Sequence, residues 1–249
     1  MSTETSPPDL ILLRGGRDPD PYVQAFAEVG VRAVCTPVLA FTFPNDDALR
    51  SRLETPEAYG ALIATSPRVG RALQRIFDNN GPSHAGWEGK RAYAVGPKTA
   101  EQLRSLSFDV AGEDTGTASA LAERIVRDDP DRPLLFLCGN RRRDDLPNAL
   151  NEAGITFEEQ VVYETHTRTD LRLPAPSGES WLVFFSPSGL EAVQAADVPL
   201  AEYHCAAIGP TTADALRTVG VSPRAVADTP SPEGLVEAIL TARRSDVAE

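Results

Sequence analysis

The sequence of 249 residues predicts an α/β fold with parallel sheets, arranged as two Rossmann- or flavodoxin-like lobes. Three observations predict it. Short apolar runs alternate with helical patterns along the whole chain. The runs are apolar throughout, as strands read when helices cover both faces of a parallel sheet. Finally, one series of motifs recurs in the same order more than a hundred residues later.

The strand-like runs, in order, are LILLR (10–14), VRAVC (31–35), GALIAT (60–65), RAYAVG (91–96), LLFLC (134–138), WLVFFS (181–186) and HCAAIG (204–209). They are rich in Val, Ile, Leu and Phe, and most lead into a Gly, Pro, Ser or Thr turn and a helical pattern. The helices are expected over 20–29, 46–53, 67–78, 97–106, 117–127, 144–153, 188–196, 211–219 and 231–243.

The repeat is clearest where AVGPKTAEQL (94–103) answers AIGPTTADAL (207–216). GALIATSPRVGRAL (60–73) answers WLVFFSPSGLEAV (181–193), and EDTGTASALAERI (113–125) answers ADTPSPEGLVEAI (227–239). More loosely, residues 12–31 answer 136–155. All four pairs are offset by 113 to 124 positions, so the chain reads as two copies of one α/β unit. Two extended segments, TPVLAFTF (36–43) and QVVYETHTR (160–168), have little helical pattern. If they pair, they make a two-stranded linker over 38–43 and 161–167. One lobe is then 1–37 plus 168–249, the other 44–160, with a cleft between them.

In a parallel sheet the strand carboxyl ends open onto one edge, where the next helices begin. Small polar turns there leave N–H groups outward, and the helix dipole favours an anion. Six such turns occur, at 65–68, 96–99, 115–117, 186–189, 209–212 and 229–231. Any one of them is more simply a helix cap; the functional reading rests on the set. Gly15, Gly16 and Arg17, after the first strand, are further candidates to line the cleft.

The formal charge of −12 argues against nucleic acid and anionic membranes, and Arg141-Arg142-Arg143 is offset at once by Asp144-Asp145. No run reaches the roughly 18 apolar residues of a membrane helix. The start, MSTETSPPDL, lacks the basic and apolar regions of a secretory signal, so a cytoplasmic protein is expected. Residues 1–9 and the end RRSDVAE are expected to fray. Cys35, Cys138 and Cys205 have no disulfide or zinc spacing and read as buried thiols. GxGxxG after a strand, GxxxxGK[ST], GxSxG and HExxH are all missing. Of the three histidines, His84 falls in a loop, His166 on the linker and His204 at a strand start. Tyr163, in VVYET on the linker, has a phenol that donates a hydrogen bond while neutral near pH 7.

LIATSPR, CGNRRRDDLPNAL with VVYET, FFSPSGL and AAIGPTTADAL resemble the uroporphyrinogen-III synthases, and the similarity spreads over nearly the whole chain. The resemblance implies two α/β lobes, a two-stranded linker and an active site between the lobes. The implied reaction closes hydroxymethylbilane, a linear polycarboxylate tetrapyrrole, to uroporphyrinogen III, with loss of water and inversion of the last pyrrole ring. It implies no cofactor and no metal.

Matched to the family's motifs, Tyr163 assists departure of the hydroxyl or orients the turning ring. Thr65, Ser66 and Arg68, Thr99, Ser186 and Ser188, and Thr211 and Thr212 bind carboxylates, partly through backbone N–H groups. Lys98 stands where many relatives have a small or neutral residue, and adds charge to the rim. A monomer is expected. The alternatives are a non-catalytic two-lobed protein binding an anionic metabolite or tetrapyrrole, and a nucleotide-sugar transferase.

Overall fold

Strand and helix alternate, except where β2 runs on to β3 and β8 to β9, in the computed structural model, which describes residues 8–78, 84–174, 176 and 179–246. The chain opens with β1 (Leu10–Leu13), α1 (Pro21–Glu28), β2 (Ala33–Cys35), β3 (Leu39–Thr42) and α2 (Asp46–Leu53). Next come β4 (Ala61–Ala64), α3 (Pro67–Asp78), β5 (Arg91–Ala94), α4 (Pro97–Arg104), β6 (Asp109–Ala111) and α5 (Ala118–Asp128). β7 (Leu134–Gly139), α6 (Asp145–Glu152) and β8 (Phe157–Thr167) follow. The remainder is β9 (Trp181–Phe184), α7 (Pro187–Ala195), β10 (His204–Ala207), α8 (Pro210–Thr218), β11 (Ala225–Val226) and α9 (Pro232–Asp246).

The described elements form two compact units, residues 1–40 with 166–249, and residues 41–165. The first unit holds the sheet β11-β10-β9-β1-β2, and every neighbouring pair in it is parallel. The second holds β3-β8-β7-β4-β5-β6, parallel from β8 to β6.

The internal repeat is visible in these orders. Reading β2-β1-β9-β10-β11 against β8-β7-β4-β5-β6 sets β1 on β7, β4 on β9, β5 on β10 and β6 on β11. These are the strand pairs that the four sequence matches relate. The copies are permuted: the second unit is continuous in the chain, while the first takes two strands from the start and three from the end.

Each sheet is buried on both faces, which is why its strands read as continuous apolar runs. In the second unit Leu62, Ala64 and Leu135 face a cluster with Val69, Leu73 and Trp87, and Ile63, Tyr93 and Phe136 face one with Leu121, Ile125 and Leu150. In the first unit Ile11, Leu182 and Phe184 pack towards Leu190 and Leu216, and Leu10, Leu12 and Val183 towards Phe26, Leu235 and Ile239.

Four expectations need correction. β6 and β11 are strands the sequence reading passed over, because three and two residues are too few to show a pattern. The end RRSDVAE is helical as far as Asp246, and Asp9 is hydrogen-bonded to Arg32; the rest of the fraying expected at 1–7 and 247–249 lies outside the described residues. Cys138 and Cys205 are buried, but Cys35, on edge strand β2, is half-buried. His84 begins a short 3-10 turn instead of lying in an open loop, and its Nε2 stands 2.6 Å from the Leu106 carbonyl.

Candidate active site

Reversal of strand order creates a crevice at the carboxyl edge of an open α/β sheet, where ligands characteristically bind. In the second unit that point lies between β4 and β7, since β4 has β5 on one side and β7 on the other. Ala64 lies opposite Ala94 and Leu137, so the turns after β4, β5 and β7 leave the sheet side by side. Thr65, Ser66 and Arg68 follow β4, Lys98 and Thr99 follow β5, and Tyr163 on β8 pairs with Gly139, the last residue of β7. Six predicted residues therefore share one sheet edge.

Tyr163 owes its orientation to a β-bulge. Cys138 pairs with Val161 but Gly139 pairs with Tyr163, leaving Val162 as the extra residue on β8. Side chains normally alternate across a sheet, and one inserted residue cancels the alternation. Val162 and Tyr163 consequently pack on the same cluster, whereas Val161 packs on the opposite one.

Gly139 leaves room for the ring. A Cβ there would collide with Cζ of Tyr163 and come within 2.6 Å of Cε2 and 2.7 Å of the hydroxyl oxygen. Asn140 then fixes the strand beyond the sheet: its N–H donates to the Tyr163 carbonyl (3.2 Å), and its Oδ1 accepts from the Thr165 N–H (2.9 Å). The Arg68 guanidinium lies 3.5 Å from the centre of the Phe41 ring and 5.8 Å from that of Tyr163. Burial lowers the pKa of Arg68, the nearby Tyr163 opposes that, and Arg71 adds to it.

The first unit has its strand-order reversal between β1 and β9. Ser186 and Ser188 follow β9, with their hydroxyl oxygens 3.2 Å apart, and Thr211 and Thr212 follow the adjacent β10. Four predicted residues share this edge.

The six turns differ in what their side chains do. Thr117 accepts from the Ala120 N–H (3.2 Å) and Ser231 from the Gly234 N–H (3.1 Å), so these two turns cap their own helices. Ser66 accepts from the Arg68 N–H at 3.3 Å. The helices beginning after Gly96, Ser186 and Gly209 have no side-chain cap, which leaves first-turn N–H groups for a ligand. Thr99 and Thr212 occupy the same place in the repeat and are 3% and 5% exposed, while Lys98 and Thr211 beside them are exposed. The outward surface at these turns is thus Pro97 and Lys98, Pro210 and Thr211, and backbone. Gly96 needs to be glycine at φ 79°, but Gly209 is extended, so the matched Gly-Pro pairs differ in conformation.

The remaining sequence candidates lie elsewhere or are engaged. His204 opens β10 at the opposite, amino edge of its sheet, and its ring packs on Trp181. Arg142 is paired with Glu159 and Asp144. Burial, as the leading cause, pushes the thiols of Cys35, Cys138 and Cys205 up to about 11, so none is a thiolate near pH 7. Among the described residues, no group of three or more His, Cys, Asp or Glu is placed to hold a metal ion, and no helix is long and apolar enough to cross a membrane.

The profile of the family described as uroporphyrinogen-III synthase HemD matches residues 20–237. The uroporphyrinogen-III synthase of Schizosaccharomyces pombe is 30% identical over 247 residues, covering 92% of this chain and 95% of its own. The chain belongs to the uroporphyrinogen-III synthase family. The Saccharomyces cerevisiae uroporphyrinogen-III synthase is 33% identical over 204 residues, covering 72% of this chain and 74% of its own.

Two solved structures share the fold of this family member. Uroporphyrinogen-III synthetase from Helicobacter pylori 26695 superposes with a TM-score of 0.57 at 24% identity, over 93% of this chain and 98% of its own. A mutant uroporphyrinogen III synthase from the extremely thermophilic bacterium Thermus thermophilus gives a TM-score of 0.51 at 20% identity, over 95% and 99%. Three residues that the geometry sets against Arg68 or Tyr163, namely Phe41, Gly139 and Asn140, were not among those expected from the sequence. The only sequence signal for the last two was their place in CGN, directly after a buried run.

Proposed function

We propose that the chain closes hydroxymethylbilane to uroporphyrinogen III, releasing water and inverting the terminal pyrrole ring. The observation that carries this reading is the gathering of the family's motif residues, distant in sequence, at the carboxyl edges of two sheets of matching order. The substrate's many carboxylates suit the uncapped turns after Gly96, Ser186 and Gly209, whose first-turn N–H groups favour anions. Membership of the uroporphyrinogen-III synthase family supports the synthase over a binding protein that does not turn over. The protein acts as a monomer in the cytoplasm.

Hydroxymethylbilane loses its hydroxyl and cyclises unaided, so the protein's task is chiefly geometric. It must hold the end ring so that its substituted carbon attacks first, through a spiro intermediate. Tyr163 donates its phenolic proton to the departing hydroxyl, which leaves as water, and recovers a proton when the attacked pyrrole ring loses its ring hydrogen and regains its aromaticity. The reaction involves no net oxidation, so no redox cofactor is invoked. Positioning contributes up to about 7–11 kcal/mol in favourable cases. A single exposed helix-terminus contact contributes about 0.3–1 kcal/mol, so many contacts share the task.

The test is isomer analysis. The protein is mixed with freshly made hydroxymethylbilane, the products are oxidised, and the type I and type III porphyrins are separated. Type III above the spontaneous background is expected; type I alone overturns the reading. Within it, Thr212→Ala should raise KM less than about fivefold, because the hydroxyl is nearly buried and the backbone N–H remains. Steady-state kinetics check this, and abolished activity in a folded variant would contradict the sharing of contacts.

A further inference from the structure

Arg14 is placed in the first unit much as Arg68 is placed in the second. It directly follows β1, one of the two strands that flank that unit's strand-order reversal. Its guanidinium carbon lies 4.8 Å from the centre of the Tyr22 ring and 5.0 Å from that of Phe185, and these two rings meet edge to face with centres 4.9 Å apart. Phe185 leads from the other flanking strand, β9, into Ser186 and Ser188. Both crevices therefore carry an arginine lying on two aromatic rings, an arrangement that orders the planar fork and leaves N–H edges for a carboxylate.

The bland explanation is that Arg14 neutralises Asp20. The geometry does not support it as sufficient. Asp20 is met by the backbone N–H groups of Tyr22 at 3.1 Å, Arg17 at 3.3 Å and Val23 at 3.4 Å, whereas Arg14 Nη2 is 3.7 Å away. That aspartate is the cap of α1 and is satisfied in that role, while the Arg14 side chain keeps 25% of its surface exposed. Charge distribution points the same way. The turns following β9, β10 and β11 contain no Lys or Arg, and the segment after β1 contains only Arg14 and Arg17, of which Arg17 is the exposed one. In a chain of formal charge −12, Arg14 is the cation that directly follows a strand at this unit's strand-order reversal, while Arg168 and Arg172 stand beside Thr36, after β2.

We infer that Arg14 binds a carboxylate of the linear tetrapyrrole at the first unit. The inference rests on the synthase reading and adds to it a cationic contact on the unit where only neutral hydroxyls had been assigned. Because a charge-assisted hydrogen bond to carboxylate is stronger than a neutral one, Arg14→Gln should raise KM for hydroxymethylbilane by roughly 10- to 100-fold. kcat should stay within about threefold. Arg14→Lys should recover much of the loss, and the rise of KM with ionic strength should be shallower in Arg14→Gln than in the parent protein.

A purely structural arginine gives another pattern: a lowered Tm, kcat falling together with affinity, and no rescue by lysine. That pattern, or an unchanged KM in folded Arg14→Gln, overturns the inference. The two readings fail separately. If the parent protein forms type III porphyrin and Arg14→Gln keeps its KM, only the arginine assignment falls. If the parent protein forms no type III product, the synthase reading falls. Equilibrium dialysis with uroporphyrinogen III then decides Arg14: weaker binding in the variant supports it, and equal binding removes it.

Discussion

Tyr163→Phe is expected to slow formation of type III product by about a hundredfold or more, in kcat, with KM little changed. Proton transfer from a positioned side chain typically contributes about 10²–10⁴-fold. The phenol is the group proposed to give that proton, and phenylalanine keeps the ring while removing the donor. Its ring is seated on Gly139 and faces the Arg68 guanidinium, so the variant should fold with the same packing. Single-turnover kinetics with isomer analysis separate the outcomes. A hundredfold loss with type III still formed assigns proton donation, and a shift towards type I assigns ring orientation. Parent-like rates with parent-like isomer composition remove Tyr163 from the mechanism.

Gly139→Ala is expected to disturb the same step through position. The added methyl carbon would collide with the Tyr163 ring, so the ring or strand β8 must move. Forcing extra volume into a packed site costs about 1–3 kcal/mol of stability. Displacing a reacting group by about 1 Å can cost about a hundredfold in rate. The variant should therefore melt a few degrees lower and show a depressed kcat with KM largely kept. A double-mutant cycle provides the check: in a Tyr163→Phe background the further kinetic loss from Gly139→Ala should largely vanish, since both act on one group. Full additivity would mean that Gly139 acts by another route.

The architecture was legible wherever a strand was long enough to leave a pattern. Seven apolar runs became seven strands, and the repeated turns lie at the carboxyl edges of their sheets, because parallel strands buried on both faces leave a strong signal. β6 and β11 were not legible, since the backbone of DVA and AV is recruited by the neighbouring strand and not by any preference of its own.

At the site, family motifs led to Tyr163 and Arg68, yet nothing in the sequence announces the bulge that turns Tyr163 onto the Val162 face. A register shift depends on two strands at once and leaves no mark on either. Periodicity also cannot show which turn hydroxyls cap their own helices. Thr117 and Ser231 do so, whereas Ser186 does not. Arg14 went unnoticed because its aromatic neighbours, Tyr22 and Phe185, come from separate parts of the chain.

The permuted arrangement of strands has a consequence for biosynthesis. Leu10 lies beside Trp181 in the finished sheet, so the first strand leaves the ribosome long before its central neighbour exists. At about 5–20 residues per second, that interval is roughly 10–30 s. The continuous segment 41–165 has all its own strands at hand during the wait and is free to fold first. The amino-terminal β1-α1-β2 piece must meanwhile carry its greasy LILL edge unpartnered. Nascent chains stalled between these lengths should be the ones most readily captured by chaperones.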